Sequence, residues 1–344
     1  MRGAASVLLL GLLLAALLPE GAPAAFSAAQ VRQAERRWLE ASGWVLSRRR
    51  AVGDWQERLD PALSGLVGGE EGLFTTSLGQ LEAKQTAAQS GWCRIVACLL
   101  DSLGVDGRDT VGVTLTGSFP GLNLAVLLTL EAGGIPYRCV SSLGASTFGA
   151  NDSAFNWPRT EGWLKERGLL RQGSSVITPG GSGDRLSGLS LDALRAAERE
   201  LRRHEETLHP ATLGQAVELR EEALGPPARL ALLINVGGGH PVVGANDYGR
   251  QVPGGLLDEA EVPPEPPAEG DHGQTGILQR YHQQGVPVLH FLDIVRLARR
   301  WGLPAPPAEA VTPEEVAARC RPAPPPAPSH RPTPKSPGRP RGAR

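Results

Sequence analysis

The chain lacks the signatures of several familiar classes of active site. Neither G-x-G-x-x-G nor G-x-x-x-x-G-K-[ST] occurs in its 344 residues, which argues against a dinucleotide-binding fingerprint and a P-loop. His204 and His209 lie five positions apart, whereas H-E-x-x-H needs four to place both imidazoles on one helix face. The four cysteines show no spacing typical of zinc sites. We therefore predict no metal site and no cofactor.

The charge balance and the apolar runs also limit the partners. A formal net charge of −1 gives no reason to expect nucleic acid as a partner. The apolar run Val7–Leu18 follows Arg2 and precedes small residues up to Ala24, and it is shorter than the roughly 20 residues of a membrane-spanning helix. This pattern predicts a signal peptide cleaved near Ala24, or an uncleaved N-terminal anchor, over residues 1–25. We expect an exported, periplasmic or otherwise extracytoplasmic protein that contacts a membrane only through this segment.

Four further segments follow from periodicity and composition. Residues 26–60 predict an N-terminal helix, with apolar residues recurring on one face. Residues 61–310 predict a single α/β domain, interrupted at 258–271 by an acidic, proline-rich linker. Residues 311–344 form a proline-rich basic tail, whose composition is typical of disorder.

The stretch Thr110–Asp152 predicts one βαβ unit. A buried strand over Val111–Leu115 precedes a loop of small residues, and Leu122–Ala132 reads as an apolar helix ending at a glycine pair. A second strand over Ile135–Val140 leads into the small-residue loop 141–152. Because both loops leave the carboxyl ends of parallel strands, they meet at the sheet edge where α/β proteins bind ligands.

The loop after the first strand carries the leading candidate residue, Ser118. Gly117 lets the backbone approach a ligand closely, and a helix N-terminus there favours an anion. Three interpretations of Ser118 remain open: a helix cap, a ligand donor or a nucleophile.

A second glycine-rich loop follows another buried strand. The run Ala228–Val236 leads directly into Gly237-Gly238-Gly239 and His240. A histidine in such a strand-end loop is a candidate base near Ser118, although a loop histidine without chemistry is the commoner case. Together the units predict a Rossmann-like, parallel-type sheet with helices on both faces and glycine-rich loops at the carboxyl edge of the strands.

The sequence resembles the poly-gamma-glutamate system protein family of bacteria. The resemblance runs from about Gly69 to about Pro304, and it includes Leu73 through Lys84. Its most specific segments are TLTGSFPGLNLAVL at 114–127 and SSLGASTFGAND at 141–152, with INVGGG at 234–239 and PVLHFLDI at 287–294. The resemblance implies a pathway, the synthesis or export of poly-gamma-glutamate, and it supplies no catalytic residues.

Two hypotheses follow for the function. In the first, an exported accessory protein binds carboxylates of poly-gamma-glutamate or of a glutamate-containing intermediate, with synthase subunits as further partners. In the second, a serine-dependent hydrolase or transferase acts on γ-glutamyl amides, with Ser118 as nucleophile and His240 or Asp152 as base. The candidate ligand-binding residues are Lys84, Thr116, Gly117, Ser118, Asn123, Asn151, Gly237, Gly238 and Gly239.

Overall fold

The computed structural model describes residues 26–244, 252–257 and 275–306. Three segments predicted from the sequence lie outside the described residues: the signal peptide or anchor, the acidic linker and the basic tail, at 1–25, 258–271 and 311–344.

Helices and strands alternate along most of the described chain. The strands are β1 Thr75–Ser77, β2 Val111–Leu115, β3 Tyr137–Ser142, β4 Ala145–Ser146, β5 Val176–Thr178, β6 Leu232–Val236, β7 Gly255–Leu256 and β8 Val288–Phe291. The α-helices are α1 Ala28–Val52, α2 Leu81–Ala87, α3 Gly91–Ser102, α4 Pro120–Gly133, α5 Trp157–Glu166, α6 Leu191–Leu201, α7 Leu213–Leu224, α8 His240–Val243, α9 Ile277–Gln283 and α10 Ile294–Arg300.

Six of these strands form one sheet, in the order β5-β3-β2-β6-β8-β7. Every neighbouring pair is parallel except β7 with β8. From β2 the chain builds outward through β3 to β5, then returns to the other side of β2 and continues through β6 to β8. The strand order therefore reverses between β2 and β6, and α/β sheets open a ligand crevice at such a point. The predicted Rossmann-like α/β class is confirmed.

The apolar strands are buried on both faces because helices cover both sides of the sheet. Ile234 of β6 packs into the core on one side, and its neighbour Leu233 packs into the core on the other. Helix α4 lies inside the first layer, with almost all of its residues buried. Pro120 occupies its first turn, where no backbone N–H is required, and Gly134 ends it in the left-handed conformation.

The N-terminal helix packs against this first layer. Trp38 of α1 is 2% exposed, and its indole N–H donates to the carbonyl of Gly121 in α4 at 2.8 Å. Residues 26–52 thus contribute to the same apolar core as the sheet. Within the described part of the chain, no helix has both the length and the apolar character needed to cross a membrane.

Candidate functional site

An open cleft of about 1270 Å³ lies where the loops after β2 and β6 meet. Its walls also include the segment after β1, strand β4 and the start of α10. The candidate residues that line it are Lys84, Thr116, Ser118, Gly238, Gly239 and His240. The reversal of strand order between β2 and β6 brings these residues together from distant parts of the chain.

Thr116 joins the two loops at the base of this cleft. Its backbone N–H donates to the carbonyl of Val236 at 3.1 Å, and its hydroxyl donates to the same carbonyl at 3.2 Å. The amide of Asn123, which is fully buried, donates to the Thr116 carbonyl at 2.8 Å. Asn123 therefore holds the loop from beneath, and Thr116 fixes the spacing between the two strand ends.

Gly117 and Gly237 allow close packing of these loops. A Cβ at Gly237 would lie 2.2 Å from the Thr116 hydroxyl oxygen, and the φ of +102° disfavours any other residue there. A Cβ at Gly117 would lie 3.0 Å from that of Ala145. Both glycines shape the walls of the site, whereas Gly238 and Gly239 line the cleft itself.

The Ser118 hydroxyl contacts strand β4 instead of capping helix α4. Its hydroxyl oxygen accepts the backbone N–H of Ser146 at 3.1 Å. The cap position of α4 is Phe119, which makes no capping bond. Although Ser118 and His240 line the same cleft, the hydroxyl of Ser118 has no hydrogen bond to an imidazole or a carboxylate within the described residues. In the part of the chain that the structure describes, the Ser118 hydroxyl is therefore not paired with a base.

Lys84 is the deepest cationic side chain of the cleft. It is 3% exposed, and burial lowers the pKa of its amine to about 7. Its Nζ donates to the carbonyl of Ser118 at 2.7 Å and to the hydroxyl of Ser146 at 2.6 Å, and it lies 3.9 Å from the centre of the Phe119 ring. All three partner groups are uncharged, so no carboxylate of the described residues is paired with this amine.

Ser146 also belongs to the site, although no motif or spacing in the sequence marks it. It lies on β4, is 6% exposed, and lines the cleft. Its backbone N–H holds the Ser118 hydroxyl, while its own hydroxyl contacts Lys84. Gly79 lies against this pair, since a Cβ there would come within 2.9 Å of the Ser146 hydroxyl oxygen and 3.1 Å of Lys84 Cε.

The rim of the cleft carries further charges. Arg296 and Arg299 both line it from α10. Arg299 lies 3.4 Å from Glu82, and Arg296 lies 3.6 Å from Asp293. Because these pairs are largely solvent-exposed, each is weak and can exchange its partner for a ligand carboxylate.

Two candidate residues of the loop 141–152 make hydrogen bonds that hold this loop in place, and they do not line the cleft. The amide of Asn151 donates to the Gly69 carbonyl at 3.0 Å and to the Thr75 hydroxyl at 2.9 Å. The carboxylate of Asp152 accepts the backbone N–H of Ala154 at 3.1 Å, which closes a local turn. The structure does not bring either side chain to Ser118.

A buried polar row underlies the loop after β6. The hydroxyl of Thr114 donates to Asn235 Oδ1 at 2.7 Å, and Asn235 Nδ2 lies 2.8 Å from His290 Nδ1 and donates to the Gly237 carbonyl at 2.7 Å. Burial lowers the pKa of His290 to about 3, so the imidazole is neutral. This row crosses three neighbouring strands and fixes the position of Gly237.

A second depression, of about 1070 Å³, lies between α1, α5 and the end of α6. One of its carboxylates, Glu200, is already paired with Arg159 and lies 3.6 Å from Arg203. These charges satisfy one another, so this depression offers less to a ligand than the cleft at the switch point.

Comparison with known proteins returned no relative: no family model matches the chain, and neither a curated protein nor a solved structure matches it. Within the described residues, no group of three or more His, Cys, Asp or Glu side chains is arranged to hold a metal ion.

Proposed function

We propose that this is an exported accessory protein of poly-gamma-glutamate synthesis or export, and that its cleft binds carboxylates of the polymer or of a glutamate-containing intermediate. The observation that carries the proposal is Lys84, a buried amine whose described partners are all uncharged. The family resemblance suggests the pathway, with synthase subunits as further partners, and the uncharged surroundings of Lys84 support a carboxylate as the ligand class.

A carboxylate complements Lys84 in charge. An ammonium removed from water loses hydration, and only a nearby anion restores comparable stabilisation. A carboxylate bound in the cleft would raise the pKa of Lys84 toward its ordinary value and so favour the ammonium form. We expect ligand binding and proton uptake by Lys84 to be linked.

The rim suits a ligand that carries several carboxylates. Arg296 and Arg299 lie on α10, three positions apart on one helix, and both line the cleft. Successive residues of a γ-linked polymer each present a free carboxylate, so one unit can reach Lys84 while others meet these arginines. Several weak contacts along one chain give an avidity that a single glutamate lacks.

The proposal is tested by titrating fluorescently labelled poly-gamma-glutamate with the full chain at pH 6, where Lys84 is mainly protonated. Lys84→Met should weaken binding about tenfold or more, equivalent to about 1.4 kcal/mol. The matched control is Lys165→Met, because Lys165 is an exposed lysine of α5 outside this cleft. All variants keep the basic tail, so its contribution is constant. Equal affinity of wild type and Lys84→Met would contradict the proposal.

A second arm of the test addresses ligand class. Unlabelled poly-gamma-glutamate should displace the labelled polymer, whereas dextran sulfate at the same charge concentration should displace it poorly. Equal displacement by both would indicate a general polyanion surface and would overturn the assignment to glutamate carboxylates.

A further inference from the structure

Lys84, Ser146 and Ser118 form a connected polar group on the wall of the cleft. Lys84 Nζ lies 2.6 Å from the Ser146 hydroxyl oxygen and 2.7 Å from the Ser118 carbonyl oxygen. The Ser118 hydroxyl accepts the N–H of Ser146 at 3.1 Å. Both Lys84 and Ser146 are nearly buried, yet both line the cleft.

This arrangement meets the requirements of a serine activated by a lysine. A weak nucleophile needs a base within hydrogen-bond reach, and a third group should orient that base. Ser146 and Lys84 satisfy the first condition at 2.6 Å. The Ser118 carbonyl satisfies the second, because an amine N–H donated to it leaves the amine lone pair free to face the Ser146 hydroxyl.

Position 84 holds a lysine in a chain whose basic residues are nearly all arginines. Of its 35 basic residues only three are lysines, at positions 84, 165 and 335. A guanidinium stays protonated in proteins, whereas a buried lysine can lose its proton near neutral pH. Burial lowers the pKa of Lys84 to about 7, so the neutral amine is populated at physiological pH.

We propose that Ser146 is a catalytic nucleophile and Lys84 its general base, so that the cleft performs acyl transfer on γ-glutamyl amides. The identity of the substrate rests on the proposed function, whereas the nucleophile and base rest on the contacts of Lys84 alone. Ser118 is a positioning residue: its carbonyl orients the amine of Lys84, and its hydroxyl accepts the N–H of Ser146.

The reaction balances with water as the co-reactant. Neutral Lys84 takes the hydroxyl proton of Ser146 as the oxygen attacks the amide carbon, and the resulting ammonium protonates the leaving nitrogen as the C–N bond breaks. An ester on Ser146 remains, and the free amine departs. Lys84 then takes a proton from water, whose oxygen attacks the ester. The proton returns to the Ser146 oxygen as the ester C–O bond breaks, and the new carboxylic acid gives its own proton to Lys84, which passes it to solvent when the carboxylate leaves.

No charged side chain of the described residues forms a hydrogen bond or an ion pair with the amine of Lys84. The titratable groups that line the same cleft are His240, Asp293, Arg296 and Arg299. Glu82 lies on the same helix as Lys84 and contacts Arg299. Within the described residues none of these groups bonds to Lys84, so desolvation is the cause of its lowered pKa.

The first test measures nucleophilicity without the polymer. The full chain is incubated with p-nitrophenyl acetate, and acetylation is located by intact mass and peptide mapping. We expect one acetyl group on Ser146, with a rate that rises with pH through about 7 as Lys84 loses its proton. Ser146→Ala and Lys84→Arg should each lower the rate at least a hundredfold. Lys84→Arg keeps the positive charge but removes the base.

Two further variants make the result specific. Ser187→Ala is the control, because Ser187 is exposed and bonds to a backbone carbonyl outside the Lys84 contacts. Ser118→Ala should keep the acetylation site at Ser146 and the pH midpoint of the rate while lowering the rate itself, since the lost hydroxyl holds the Ser146 N–H and the carbonyl that contacts Lys84 remains. Circular dichroism on each variant confirms folding. Acetylation at another residue, or an unchanged rate in Lys84→Arg, would overturn the proposal.

The second test uses poly-gamma-glutamate and follows polymer length and free amine together. Cleavage by wild type that Ser146→Ala abolishes is the expected result. Binding without cleavage or acetylation would overturn the catalytic proposal and leave the proposed function intact. Acetylation of Ser146 without binding of this polymer would overturn the proposed function and leave the nucleophile and base in place.

Discussion

Replacing Lys84 with methionine should change how stability depends on pH. In the unfolded chain the amine has its ordinary pKa of 10.5, whereas in the folded protein burial lowers this pKa to about 7. Between these values the unfolded state binds one more proton than the folded state, so the free energy of unfolding of the wild type rises with pH. The slope approaches about 1.4 kcal/mol per pH unit between pH 8 and 9.5.

The Lys84→Met variant has no amine to titrate at this position. The difference in free energy of unfolding between the wild type and the variant therefore reports the titration of Lys84. Methionine is unbranched and fills the apolar part of the lysine site, including the contact with Phe119. Urea unfolding at pH 7.5, 8.5 and 9.5 should show the wild type gaining about 2.5 kcal/mol relative to the variant across the range. Lys165→Met removes an exposed lysine and should remain parallel to the wild type.

The pH trend is the decisive quantity, since the hydrogen bonds lost in the variant shift its stability by a constant amount. A wild-type-minus-variant difference that is flat from pH 7.5 to 9.5 would mean that Lys84 keeps an ordinary pKa in the fold. That result would refute the reasoning from burial, and it would also remove the neutral amine that acyl transfer requires.

Two other perturbations test the wall of the cleft and a buried ion pair whose residues do not line it, both by urea unfolding at pH 7.5. Gly237→Ala forces a Cβ to 2.2 Å from the Thr116 hydroxyl oxygen at a φ of +102°, and it should cost about 2 kcal/mol or more, whereas Gly238→Ala meets nothing closer than 3.9 Å and should stay within about 0.5 kcal/mol. Equal costs would show that the loop relaxes freely. Arg220→Met leaves the fully buried carboxylate of Asp184 without its partner, and it should cost about 3–5 kcal/mol. A loss below about 1 kcal/mol would argue that water reaches this pair.

The sheet could be predicted from the sequence because its central strands are buried on both faces. Such strands are continuous apolar runs, and the run Val111–Leu115 predicts both ends of β2 correctly. Helix α4 was also foreseen, since the glycine pair after an apolar stretch marks its end. The antiparallel edge strand Gly255–Leu256 was not predicted, because two residues are too short for any period to appear.

The candidate site was predictable only in part. The reversal of strand order explains why the loops of Thr116 and Gly238 meet, and both were expected at the carboxyl edge. Ser146 was not foreseen, because it acquires its role from Lys84, 62 residues earlier in the chain. Burial of a lysine is a tertiary property that no local pattern records. The signal that was available is the rarity of lysine in an arginine-rich chain.

Carboxylate binding and acyl transfer need opposite protonation states of the same amine. A carboxylate beside Lys84 stabilises the ammonium and so removes the base, whereas an uncharged amide leaves the lowered pKa in place. Productive binding therefore requires the scissile amide at Ser146 and the free carboxylates at Arg296 and Arg299. The carboxylate formed by cleavage then lies next to Lys84 and stabilises its ammonium form. Lys84 therefore keeps its proton until the product leaves. If both proposals hold, the pH at which the cleft changes from a binding site to a reactive one is set by how deeply the fold buries this single lysine.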